Sequence, residues 1–256
     1  MTEPKANRFE DFFADSVYVS LKNHLYNYLL RRHAVRKCLK FQKRGRALEI
    51  GSGLSPMIDD ARQIVYSELS FYALRTLKNH CVQGDFVVAD AAHLPFRAGC
   101  FTQVVCSEVL EHLPEDLPAL REIASALKPE GSLILTFPHR RAYFAGDDLF
   151  VNHFRRYELD EMEAKLREVG LETVEIRKVL GPLEKITMLA VLSAISVFAR
   201  FGKGRQACGP PVSFPPFVVA AFHWLNCLYC IPVWLDARLS PRSLSSVLLL
   251  RAVRGR

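Results

Sequence analysis

The chain has no disulfide framework. Its seven cysteines are odd in number and lie apart, at Cys38, Cys81, Cys100, Cys106, Cys208, Cys227 and Cys230. Small stapled domains use even, closely spaced cysteines, so a reducing compartment is expected. His223, Cys227 and Cys230 share a helical spacing, but no second cysteine pair completes a structural zinc set, and no metal is expected. The first stretch lacks a continuous apolar run, being interrupted by Glu3, Glu10 and Asp11, which argues against a secretory signal and for a cytoplasmic protein. Internal repeats and low-complexity tracts are missing, which excludes solenoid and fibrous classes. The formal charge is +7, with basic residues crowding Arg31–Arg46 and ending the chain at Arg251, Arg254 and Arg256. The interleaved aromatic pattern of a single-strand binder does not accompany them, so they read as solvated faces and no nucleic acid is expected.

Half of the 256 residues are apolar and 24% are charged, the balance of a packed globular protein with one domain plus additions. Residues 9–44 have helical periodicity through Phe12, Phe13, Val17, Leu21, Leu25, Leu29 and Leu30. Short apolar strands follow at Ala47–Ile50, Ile64–Ser67, Asp85–Val88, Gln103–Ser107 and Ser132–Phe137. Helical segments lie between them, clearest at Leu117–Leu127, where Pro118 sits in the first turn and Gly131 follows the end. A helix at Leu159–Val169 and strands at Leu171–Val179 and Ser246–Val253 complete the pattern. Strands alternating with helices predict an α/β fold, a doubly wound Rossmann-like sheet with N-terminal helices and an apolar helical insertion before the last strand. Such sheets bind ligands at the carboxyl ends of their strands.

Gly51-Ser52-Gly53 directly follows the first strand, and a glycine turn there brings backbone N–H groups close to a ligand. Pro56 stands where a dinucleotide fingerprint would have its third glycine. Glu68, ending the second strand, can accept hydrogen bonds from both hydroxyls of a ribose; its plainer reading is a solvated charge. Asp90, ending the third, can accept from an exocyclic amine or cap the next turn. His112, His139 and His153 follow strand ends or sit in the loop after the fifth strand, where a second substrate would arrive, and histidine titrates in the range useful for a base. Each could equally be structural.

The run ALEIGSG at 47–53, SELS at 67–70, VADAAHLPF at 88–96, FTQVVCSEVLEHL at 101–113 and LKPEGSLILTFP at 127–138 resembles the methyltransferase type 11 family of class I enzymes, which includes quinone-biosynthesis enzymes. The resemblance implies S-adenosyl-L-methionine as cofactor. By it Glu49, Gly51, Ser52 and Gly53 would line the methionine and ribose part, Glu68 would hold the ribose, Asp90 and Ala91 would flank the adenine, and Ser107 would lie beneath the cofactor. The sequence departs from the family pattern at Thr102, where an acid is usual, and at Ser55-Pro56.

The expected organisation is an N-terminal helical segment at 1–45, a cofactor-binding core at 46–181, an apolar insertion at 182–244 and a last core strand at 245–256. The insertion has apolar stretches at Ile186–Ala199 and Pro215–Leu235, the second interrupted by Pro216, His223, Asn226 and Pro232. It can be a soluble lid, a hairpin lying in a membrane interface, or a two-pass span, for which the first stretch is too short at roughly 21 Å. The expected activity is methylation of a small or lipid-like acceptor, and peripheral membrane contact through 182–244 stands as one of the options for the insertion. The alternatives are a nicotinamide-dependent reductase and a non-catalytic binding module on the same fold.

Overall fold

The computed structural model describes residues 21–39, 45–58, 63–79, 83–201 and 215–255, and the side chains of these except 192–201. A 3-10 turn at Lys22–His24 leads into α1 (Tyr26–Leu39). The expected helix at 9–44 is observed over that part; Phe12, Phe13 and Val17 lie outside the described residues. Then come β1 (Ala47–Ile50), β2 (Ile64–Glu68), α2 (Phe71–Asn79), β3 (Asp85–Val88), β4 (Phe101–Ser107), α3 (Leu117–Ala126) and β5 (Leu127–Pro138). The remainder is α4 (Gly146–Phe150), α5 (Leu159–Glu168), β6 (Leu171–Leu180), α6 (Pro182–Phe201), α7 (Pro216–Leu239) and β7 (Val247–Arg254).

The seven strands form one sheet in the order β3-β2-β1-β4-β5-β7-β6. β1 to β5 are parallel, whereas β7 runs antiparallel to both β5 and β6. The period-2 alternation of the strands divides the core in two. Leu48, Ile50, Val104, Cys106, Leu133, Leu135 and Leu250 pack with Leu120, Ile123, Met162 and Leu166, so α3 and α5 cover one face. Ala47, Ile64, Tyr66, Val105, Ile134 and Leu249 pack with Tyr28, Val35, Leu74, Leu77 and Val233, so α1, α2 and α7 cover the other. Burying both faces explains why these strands read as short continuous apolar runs.

Leu180 and Val247 pair in register across β6 and β7, so the insertion leaves and returns at one corner of the sheet, the corner at the carboxyl ends of the parallel strands. The prolines expected to shorten its second apolar stretch do not break it. Pro216 occupies the first turn, where its missing N–H costs nothing, and Pro232 is accommodated within a continuous α7. The loop at 202–213, with Lys203, Arg205 and Cys208, lies outside the described residues.

Candidate functional site

A cavity of about 270 Å³ opens at the carboxyl ends of the strands. Of the residues singled out in the sequence, Glu49, Gly51, Ser52, Gly53, Glu68, Asp90, Ala91, Ser107, His112 and His153 line it together. His139 does not. It is buried, its Nδ1 lies 2.8 Å from the Ser245 carbonyl, and its backbone N–H bonds Ser246, so it ties the end of β5 to the start of β7.

Glu49 and Glu68 build the turn as well as face the cavity. The Glu49 carboxylate accepts N–H bonds from Met57 (2.7 Å) and Ile58 (3.0 Å). Burial, working against those bonds, pushes its pKa up to about 7. Glu68 accepts from Gly53 (2.9 Å), Leu69 (2.8 Å) and Ser70 (3.1 Å), which pins the glycine turn to the end of β2. A carboxylate has about four lone-pair sites, so Glu68 keeps one for a ligand. Gly51 and Gly53 have φ of +68° and +52°. At Gly51 the protein itself also demands glycine, since a Cβ there would collide with Cγ2 of Val109. Pro56, in place of the third glycine, gives its carbonyl to the Tyr28 hydroxyl at 3.1 Å, which seats α1 on the turn.

The buried hydroxyls of Ser52, Ser55 and Ser67 line the cavity and have no partner among the described residues. Orphaned buried hydroxyls are costly, so they mark where a polar ligand would bond. Leu69, Ala89 and Ala91 form an apolar slot beside Asp90, whose Oδ1 accepts the Ala92 N–H at 2.9 Å. Lys22, in the 3-10 turn, and Arg31, on α1, also line the cavity; sequence reasoning missed both, Arg31 because it blended into a basic run and Lys22 because a lone lysine carries no signal. Arg31 lies 3.5 Å from Glu108, and Lys22 is lowered to about 8 by burial and then by Arg31. Two cations, a hydroxyl-lined floor and an apolar slot beside an acid match the carboxylate, ribose hydroxyls and adenine of S-adenosylmethionine, and the residues present fit it.

The opposite wall carries a charged network. His153 lies with Nδ1 2.9 Å from Asp148 and Nε2 3.8 Å from Glu111. Asp148 also accepts Arg156 Nε at 2.8 Å and Lys185 Nζ at 3.0 Å, while Asp147 accepts Lys185 at 2.6 and 2.7 Å. Burial opposes ionisation of Asp148, but the bonds from His153 and Arg156 outweigh it and hold the group well below the usual carboxylate range. Burial, then Glu108, drives Glu111 well above that range. His112, stacked edge-on to His153 with centroids 4.6 Å apart, is lowered to about 3 by burial and then by His153, so it remains a neutral imidazole and a poor base. Ligand atoms of Glu111, His112 and His153 all lie within 4.8 Å of one another, close enough to share a divalent ion. Glu184 and Met188 extend α6 into the cavity, and Oε2 of the buried Glu184 has no partner among the described residues. Asp147, Asp148 and Glu184 carried no sequence signal beyond their charge, because only the fold brings 147–156 and 184–188 together.

A doubly wound sheet with a glycine turn after its first strand, acids ending its second and third, and one cavity across those ends has the architecture of a class I methyltransferase. The comparisons with known proteins agree. Residues 48–135 match the model of a methyltransferase domain of type 11. A probable S-adenosylmethionine-dependent methyltransferase of Mycobacterium tuberculosis is 29% identical over 58% of this chain, and the match spans only 57% of that relative's length. A ubiquinone biosynthesis O-methyltransferase of Xanthomonas campestris is 42% identical over 23% of this chain and 25% of its own. Phosphoethanolamine N-methyltransferase 2 of Haemonchus contortus, solved with S-adenosyl-L-methionine, shares the fold at a TM-score of 0.60 and 17% identity, covering 98% of this chain and 61% of that one. Residues 48–135 are thus a methyltransferase domain of the type 11 kind, and the chain spans about half the length of the curated relatives it matches.

Proposed function

We propose that the protein transfers a methyl group from S-adenosylmethionine to a small amphiphilic acceptor, lipid- or quinone-like, with peripheral membrane contact through residues 182–244. The observation that carries this is one cavity that has the strand-end acids, the glycine turn and unpartnered serine hydroxyls together with a carboxylate-held imidazole. Lys22 and Arg31 would hold the methionine carboxylate, Glu68 with Ser52 and Ser67 the polar middle of the donor, and Asp90 with Leu69, Ala89 and Ala91 the adenine. Bound there, the sulfonium supplies an activated methyl, so orientation and exclusion of water account for much of the rate.

His153 is the base in this reading. Asp148 fixes the Nδ1 proton, which leaves Nε2 free to take the proton of an acceptor hydroxyl or amine. The quinone-pathway relative supports a hydroxylated, apolar acceptor, as does the entry of Met188, Leu180 and Val247 into the cavity beside the polar network. A nicotinamide reductase is disfavoured by Pro56, which seats α1 where a third glycine would open the turn to pyrophosphate. The test has two arms. Calorimetry should show binding of S-adenosylmethionine and none of NAD. Radiolabelled donor fed to a lipid extract with the protein should give labelled product, and His153→Ala should slow its formation by about 10²–10⁴-fold with donor affinity unchanged. Undiminished turnover in His153→Ala removes the base; NAD binding without donor binding overturns the whole reading.

A further inference from the structure

The helix α7 is amphipathic in the wrong sense for water. Its polar residues face the protein: His223 meets His24 with ring nitrogens 3.1 Å apart, Asn226 accepts the Tyr26 N–H at 3.1 Å, and the Tyr229 hydroxyl pairs with Thr187 of α6 at 2.5 Å. Val233 and Ala237 continue this inward stripe and are buried. The outward stripe is Phe217, Trp224, Leu225, Leu228, Ile231 and Leu235, with exposures between 43% and 73%. The most apolar 18-residue window of α7 has a mean hydropathy of 1.6, yet only 6% of it is buried. Contiguous exposed apolar surface of this kind marks a docking site. The inward contacts run from His223 to Ala237, so α7 lies along the protein through most of its length and is not free to cross a bilayer.

In sequence, the charges between the two apolar segments have one sign. From Ile186 to Leu235 the sequence carries Arg200, Lys203 and Arg205 and no Asp or Glu. Just beyond, Asp236 is turned inward onto the Leu183 N–H at 2.9 Å, while Arg238 is exposed with its guanidinium 5.4 Å from the Trp234 ring centre. Exposed apolar side chains also stand beside the cavity. Met188 and Val151 line the cavity, and their neighbours Leu189, Leu149 and Phe150 are exposed, on α6 and on α4, which packs against α6.

We propose that the outward face of α7, continued by α6 and α4 at the cavity rim, is a monotopic docking surface for an anionic lipid bilayer, through which the acceptor reaches the cavity without crossing water. The proposal deepens the functional reading above and rests on it for the identity of the cavity. Apolar side chains supply the binding energy, while the exposed Arg238 favours anionic headgroups and makes binding weaken with salt. Trp224 and Trp234 have the rings that settle at the headgroup level.

The test is flotation of the full chain with phosphatidylcholine vesicles and with vesicles that also contain phosphatidylglycerol. Flotation with the anionic vesicles should exceed that with neutral ones and fall with salt. The double variant Leu228→Glu/Ile231→Glu, at two exposed positions outside the cavity, should lower the bound fraction about tenfold or more, with urea midpoint and calorimetric donor affinity unchanged. Phe150→Glu should lower it as well if α4 shares the surface. A full chain that stays unbound with both vesicle types overturns the proposal, and so does a double variant that floats like the parent. A dimer in light scattering that this variant dissolves, without flotation, would give the face to a second copy instead. Loss of donor binding with flotation retained would refute the methyl-transfer reading and leave the docking surface standing.

Discussion

Gly51 offers a test of whether the turn is glycine for the sake of the ligand or of the protein. In Gly51→Ala two costs add. A φ of +68° disfavours a Cβ by about 1–2 kcal/mol, and the new methyl collides with Val109 Cγ2, an overpacking that costs about 1–3 kcal/mol. The single variant should therefore lose about 2–5 kcal/mol of stability, a large fraction of what holds a domain of this size together. Val109→Ala removes the colliding methyls from a half-buried site. In the Gly51→Ala/Val109→Ala background only the dihedral cost of the alanine remains, so a double-mutant cycle should return a coupling of about 1–3 kcal/mol in favour of the pair. Urea unfolding of the four proteins measures the stabilities, and calorimetry with S-adenosylmethionine measures what the alanine does to the donor site once the fold is relieved. Costs that simply add would show that Val109 is not the wall behind the turn. A double variant that regains both stability and full donor affinity would show that glycine serves the protein alone.

Three further outcomes follow from the buried charges. Lys185→Met leaves Asp147 and Asp148 without their lysine in a site where both are buried, and should cost about 3–5 kcal/mol, seen as a fall in melting temperature; an unchanged melting temperature would mean that Arg156 alone suffices. Asp148→Asn should lower turnover while the stability loss is partly offset by its remaining bonds, and a pH–rate profile that does not move would remove His153 from the chemistry. Glu49 holds its proton more tightly when folded, at about 7 against 4.5, so its contribution is fully present below pH 4.5 and is lost as pH rises to 7, by about 3 kcal/mol. Glu49→Gln should flatten stability across that window in urea unfolding, and a profile as steep as the parent's would assign the dependence to another group.

Replacing residues 183–244 by a short linker looks from the sequence like the clean removal of a lid. In the structure it strips α7 from α1 and takes Lys185 from Asp147 and Asp148, so stability and the setting of His153 should fall with it. Outward side chains such as Leu228 and Ile231 can be changed without that loss.

The sequence alone determined the sheet, the glycine turn and the acids at the strand ends. Hydrophobic alternation and turn chemistry are local, and in a parallel sheet the residue after each strand lands at the same edge whatever surrounds it. Strand limits held within a few residues; β5 ran longer, because its first residues continue directly from α3. Tertiary structure alone decided the rest. It sent His139 to a β5–β7 tie, gave His153 its carboxylate, brought Arg31, Lys22 and Glu184 to the cavity, and turned the polar stripe of α7 inward. Each of these depends on contacts between residues from five to two hundred positions apart, whose chemistry has no periodic signature; local pattern shows that an apolar helix exists, and only packing shows which of its faces is left for a partner.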